Sequence, residues 1–130
     1  MNRPRLIDGK LEPTEHQIQC AFVEYVATLE PKYPNLRLSF AVPNGGKRPG
    51  AISGAILKRE GVRAGVPDWW LPVPRRNFHG VVIEFKTRKG VVSREQAEYL
   101  MQLRCLGWIA EVFRSVDEGI DTLNRYLGII

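Results

Sequence analysis

The sequence reads as a mixed α/β domain, one sheet with helices packed on both faces. Three observations predict it. Two Ser/Thr-x-x-Gln capping boxes, Thr14 with Gln17 and Ser93 with Gln96, each open a stretch of helical apolar period. Two apolar runs of strand length, VVIEF at 81–85 and WIAEVF at 108–113, bracket the second of those helices. With 130 residues, 44% hydrophobic and 25% charged, the chain has the size and mix of one domain with a core of its own.

In chain order, residues 1–12 read as a loose N-terminal arm and 13–130 as the single domain. Pro13 precedes the Thr14 cap, and the helix that follows carries Ile18, Phe22, Tyr25 or Val26, and Leu29 on one face before Pro31 stops it. NLRLSFAVP sets Leu36, Leu38 and Phe40 against Arg37 and Ser39, a strand alternation. NGGKRPG is a glycine-rich loop or hairpin turn. AISGAILKREG predicts a short helix stopped at Gly61. Asp68 to Val73 is extended between prolines, RRNFHG turns the chain, and a strand runs from Gly80 to Lys86. The Ser93 helix ends at Gly107, WIAEVF is the next strand, and Ser115 with Glu118 caps a last helix.

The net charge of +5 favours an anionic partner, most often nucleic acid. No apolar run reaches the ~20 residues of a membrane helix. MNRPRLIDGK has no apolar stretch behind it, so no signal peptide is expected, and the two cysteines, Cys20 and Cys105, fit no metal spacing. They read as buried small hydrophobes in a reducing compartment, and the expected location is cytoplasmic. His16 and His79 are isolated.

The strand GVVIEFK raises the functional question, because it places Glu84 and Lys86 among Val81, Val82, Ile83 and Phe85. Residues two apart in a strand share a face, so both charges point one way, about 7 Å apart. Burying them costs several kcal/mol unless they are paired or ligate something. If the Asp68 segment pairs with this strand, strands about 4.8 Å apart bring Asp68 beside Glu84. Two facing carboxylates repel unless a cation lies between them, and all-oxygen ligands suit Mg²⁺ or Mn²⁺. Such an ion acidifies bound water and stabilises charge on a phosphodiester, while Lys86 orients the water or neutralises the developing charge. The tripeptide Glu-x-Lys alone says little, since Glu30-Pro31-Lys32 repeats it in a turn. Pro67-Asp68 upstream and Thr87-Arg88-Lys89 downstream give it weight. Asn44, Lys47 and Arg48 in the glycine-rich loop, with Arg88 and Lys89, suit phosphate contacts, although the loop also reads as a plain turn. Trp69 and Trp70 face opposite sides of a strand, one in the core, the other at an edge, a dimer interface or a base.

GVPDWWLP followed by GVVIEFKTRKGVVSREQAEYLMQLRCLGW, with TEHQIQ and VPNGGKR before them, resembles the VRR-NUC (virus-type replication-repair nuclease) branch of the PD-(D/E)xK nuclease superfamily. The resemblance spans nearly the whole chain and implies a restriction-endonuclease-like fold. It implies Asp68, Glu84 and Lys86 as the catalytic core, with the Phe85 main-chain carbonyl as a metal ligand. Glu15, also as a metal ligand, and Gln96 are implied as further active-site residues. On the residues alone, Glu15 is equally a first-turn carboxylate favoured by the helix dipole, and Gln96 the reciprocal half of its capping box. The expected activity is a Mg²⁺-dependent endodeoxyribonuclease like stand-alone phage and bacterial members that cut branched DNA such as Holliday junctions. A C₂ homodimer is expected for paired cuts, with Trp69 or Trp70 and the tail YLGII as apolar surface to spare. The alternative is a catalytically silent DNA-binding module or an interaction subunit of a phage replication or repair complex.

Overall fold

A computed structural model of the chain describes residues 3–43 and 54–129. The N-terminal segment, expected as a loose arm, holds a hairpin in which β1 (Arg5–Ile7) pairs antiparallel with β2 (Lys10–Glu12). Its turn is Asp8-Gly9, with φ of 52° and 74°. Two successive left-handed residues make the tight turn that matches strand twist, and Asp-Gly adopts it readily.

Helix α1 (Glu15–Leu29) opens on Thr14 with the complete capping box, and its Ile18, Phe22 and Val26 are buried. The expected strand at NLRLSF is instead a 3₁₀ helix, Pro34–Leu38, followed by a strand β3 of two residues, Phe40–Ala41. Proline at its first position suits a helical turn, and of the alternating trio only Leu36 is buried, while Leu38 and Phe40 are 59% and 47% exposed. The loop with Asn44, Lys47 and Arg48 lies outside the described residues. Helix α2 (Gly54–Arg59) is short and buries no side chain.

The main sheet adds β4 (Trp69–Leu71), β5 (Val81–Phe85) and β6 (Ile109–Phe113) to β3, in the order β3-β4-β5-β6. The first two pairings are antiparallel and β5–β6 is parallel. Helix α3 (Arg94–Cys105), with its Ser93 capping box, makes the crossover between the parallel strands, and α4 (Val116–Leu127) follows β6. On one face of the sheet, Phe22 from α1 and Leu123 and Tyr126 from α4 pack on Trp69, Leu71, Ile83 and Phe85. On the other, Leu100 of α3 packs on Val82 and Ala110, flanked by Trp70 and Trp108. Strand β5 is therefore paired on both edges and covered on both faces, and all five of its residues are buried.

One expectation fails on the face a side chain occupies. Cys20 and Cys105 are exposed rather than buried. Cys20 lies two positions from both Ile18 and Phe22, about 200° around the helix from each, so it points away from the stripe they define. Of the apolar surface expected for a dimer interface, Trp69 takes the core position expected of one tryptophan and Trp70 is half-buried. Tyr126 and Leu127 of the tail pack inside the domain at 1% and 6% exposed, with Tyr126 donating to the Val73 carbonyl at 2.5 Å.

Candidate active site

Register places the charges. Trp69 opposes Ile83, so one step on Asp68 opposes Glu84, and both alternate onto the face that Trp70 and Val82 share under α3. Asp68 Oδ2 accepts from the Phe85 main-chain N–H at 2.8 Å, which locks the carboxylate against β5. Gln96, in the first turn of α3, completes its capping box through Oε1 and donates from Nε2 to Glu84 Oε1 at 2.8 Å. The cap fixes the Gln96 rotamer, and its amide N–H₂ reaches the Glu84 carboxylate.

Glu84 is 2% exposed, and its Oε2 is buried without a hydrogen-bond partner. Burial, then the hydrogen bond with Asp68 and the Asp68 charge, push its pKa from 4.5 to about 9; Lys86 opposes the rise and Glu15 adds to it. With one proton in place, Glu84 donates to Asp68; with both carboxylates bare, nothing in the chain satisfies Oε2. Lys86 lies one residue past the end of β5, its main-chain N–H bound to the Phe113 carbonyl and its ammonium 3.8 Å from Glu15 Oε1 at the start of α1. Asp68, Glu84, Lys86, Glu15 and Gln96 therefore converge from two strands and two helices on one end of the sheet. A groove of about 650 Å³ between α1 and the end of β3 opens there, with Glu15 and Asp68 on its walls.

The expected phosphate-binding cations divide. Lys89 is exposed, whereas Arg88 is engaged by the hairpin, its Nη2 2.8 Å from Asp8 and its Nε 3.5 Å from Glu12. Sequence reasoning missed two residues that position the site. Arg114 donates from Nη1 to the carbonyls of Thr87 at 2.8 Å and Gly90 at 2.7 Å, clasping the turn behind Lys86. Gly65, at φ 82°, lies so close to the first turn of α3 that an added Cβ would fall 2.6 Å from the Glu95 carbonyl carbon. That contact sets the Asp68 loop against the helix that carries Gln96. Its one legible sign was a glycine three residues before the aspartate.

A family model described as the VRR-NUC domain matches residues 14–117. The chain belongs to the VRR-NUC family. A solved structure described as a VRR_NUC domain protein is similar to it, with a TM-score of 0.76 and 25% identity over 90% of each chain. No curated protein matches. The VRR-NUC assignment carries a nuclease-type function and DNA as its partner, and the four-stranded mixed sheet flanked by helices is the restriction-endonuclease-like fold expected from sequence. No helix among the described residues is long and apolar enough to cross a membrane.

Among the described residues no group of three His, Cys, Asp or Glu side chains stands ready to enclose a metal ion. The donor set still fits a hard divalent cation. Asp68 and Glu84 face one another with an orphaned buried oxygen between them, and Mg²⁺ is held by one or two carboxylates while it keeps several waters.

Proposed function

We propose that this VRR-NUC chain is a divalent-metal-dependent endodeoxyribonuclease, with Asp68, Glu84 and the Phe85 carbonyl as the seat of Mg²⁺ or Mn²⁺ and Glu15 beside them. One observation carries the reading. A glutamate that is 2% exposed in the most buried strand of the fold, set against a second carboxylate and with its pKa pushed to about 9, costs stability at neutral pH and packs nothing that a methyl group would not pack better. Its use is to receive a cation. When bound, that cation supplies an acidified water and charge neutralisation at the phosphodiester.

The chain's own residues do the rest. The Phe85 N–H holds Asp68 Oδ2, and the Gln96 amide holds Glu84 Oε1. Lys86, tethered by Glu15 at 3.8 Å, brings a positive charge to the same end of the sheet, where it orients the attacking water or offsets charge on the phosphorane. Lys89 and the loop residues Asn44, Lys47 and Arg48 contact the DNA backbone, and Arg88 joins them when it leaves Asp8 and Glu12.

Branched DNA is the proposed substrate and a homodimer the proposed assembly, because one chain offers one such centre and a four-way junction needs two matched nicks. The test is cleavage of linear, flapped and four-way substrates with Mg²⁺ and with EDTA, beside light scattering of the purified protein. Metal-dependent cleavage with junction preference in a dimer supports the whole proposal. A monomer that cuts linear duplex as readily as the junction removes the branched substrate, and a chain that binds DNA and never cuts it is the silent module.

A further inference from the structure

We propose that Phe40 is a stacking platform for an unpaired base of the DNA held at the carboxylate site; the inference rests on the nuclease reading above for its ligand. Phe40 is 47% exposed although it lies in the main sheet. Its ring lies parallel to Trp70, 7° between planes and 6.2 Å between centroids. Trp70 is itself immobilised, its indole N–H donating to the Pro67 carbonyl at 3.1 Å. The rings of Trp108 at 5.4 Å and Tyr99 at 6.4 Å meet it edge-on. Phe40 therefore has no room to fold inward. The sequence offered Trp70 as a surface for a base; the structure covers it and passes that exposure to Phe40.

Register ties the platform to the site. Phe40 opposes Trp70, and the Val42 N–H donates to the Asp68 carbonyl at 2.8 Å, so Val42 opposes Asp68. Phe40 is two residues from Val42 and shares its face, about 7 Å away along the strand. The exposed ring thus lies on the same face as the Asp68–Glu84 pair, and the successive carbonyls of Pro67 and Asp68 hold Trp70 beneath the ring and Val42 beside the pair. A nucleotide whose phosphate sits at the carboxylates has its base, or its neighbour's, within reach of the ring.

The ring's chemistry selects the occupant. A rigid planar aromatic set on a second one accepts any base face, which stacking exploits without sequence preference. The chain's net charge of +5 draws the polyanion to it. A paired base has both faces covered by its neighbours, so the base must be unpaired or flipped, as at a branch point. A second copy of the chain is a poorer occupant, since the two-residue β3 offers little edge for strand pairing.

The experiment measures binding in EDTA, so that no cleavage intervenes, with a short oligothymidylate and an abasic oligonucleotide of the same length as probes. The two carry the same phosphates and differ in their bases. Wild type is expected to favour oligothymidylate. Phe40→Ala and Phe40→Leu should each lose roughly tenfold on it and nothing on the abasic strand, and Phe40→Trp should retain the preference. Phe40→Leu keeps the bulk and the fold without the π face. Equal binding of both probes by wild type, or equal losses on both in Phe40→Leu, overturns the proposal. So does self-association that disappears in Phe40→Leu while base preference stays. Failure of cleavage in Mg²⁺ would overturn the nuclease reading and leave this binding result standing.

Discussion

Glu84→Gln is expected to make the metal-free protein more stable. Glu84 is 2% exposed, with a pKa pushed from 4.5 to about 9, chiefly by burial and then by Asp68. At pH 7 the unfolded chain ionises it and the folded chain keeps it protonated, a mismatch of two and a half pH units at about 1.4 kcal/mol each. The cost is therefore up to about 3.5 kcal/mol. Because the folded pKa is the higher one, the folded state binds more protons between pH 4.5 and about 9, so stability from this group is intact below that window and is lost as pH rises through it. A glutamine does not titrate, and its amide fits: Oε1 accepts from Gln96 as before and Nε2 donates to Asp68. In EDTA at pH 7 the variant should melt up to about 14 °C higher than wild type, given about 4 °C per kcal/mol for a domain of this size. The gap should shrink to under about 1 kcal/mol at pH 5. Mg²⁺ should then raise the melting temperature of wild type more than that of the variant, since the proposed seat loses one of its two carboxylates. Thermal denaturation across pH 5–9 reads all of this. A variant less stable than wild type in EDTA at pH 7, or an unchanged pH slope, would refute the burial argument.

Three further outcomes follow from the geometry. Lys86→Ala should keep DNA affinity within about twofold, as one cation among 19, and lose cleavage; equal losses of both would contradict its place beside the reacting phosphate. Gly65→Ala should cost about 2 kcal/mol or more, because its Cβ meets the Glu95 main chain at 2.6 Å and its φ is 82°, and denaturation midpoints within a few tenths of wild type would show that the loop simply shifts. Asp8→Asn with Glu12→Gln should free Arg88 and strengthen DNA binding at low salt, with the gain vanishing at high salt; an unchanged affinity would mean that Arg88 never reaches phosphate.

The legible parts of this sequence are those with a local period or a reciprocal pair. Both capping boxes form because each pairs residues three apart. The Asp68–Glu84 encounter needed only two strands and the alternation of two. That alternation also misled: Leu36, Leu38 and Phe40 carry it, yet Pro34 begins a 3₁₀ turn and leaves two of the three exposed. The Asp8-Gly9 hairpin carried a turn signal that the short arm on either side obscured. Other features lie in tertiary space alone. Arg88 meets Asp8 across 80 positions, Arg114 clasps a turn 24 to 27 residues earlier, and the tail at Tyr126 found its partner at Val73. No composition argument reaches those contacts, nor does it say which side of α1 Cys20 occupies.

The claim that Asp68 and Glu84 form the metal seat of a nuclease is tested most directly by single-turnover cleavage of a four-way junction in Mg²⁺ by wild type, Asp68→Asn and Glu84→Gln, each with an EDTA control. Wild type is expected to cleave only with metal, and each variant to fold, to bind the junction and to cleave at least about 10²-fold more slowly, a loss of about 2.7 kcal/mol of transition-state stabilisation. Cleavage by wild type in EDTA, or by Glu84→Gln in Mg²⁺ at the wild-type rate, would contradict it.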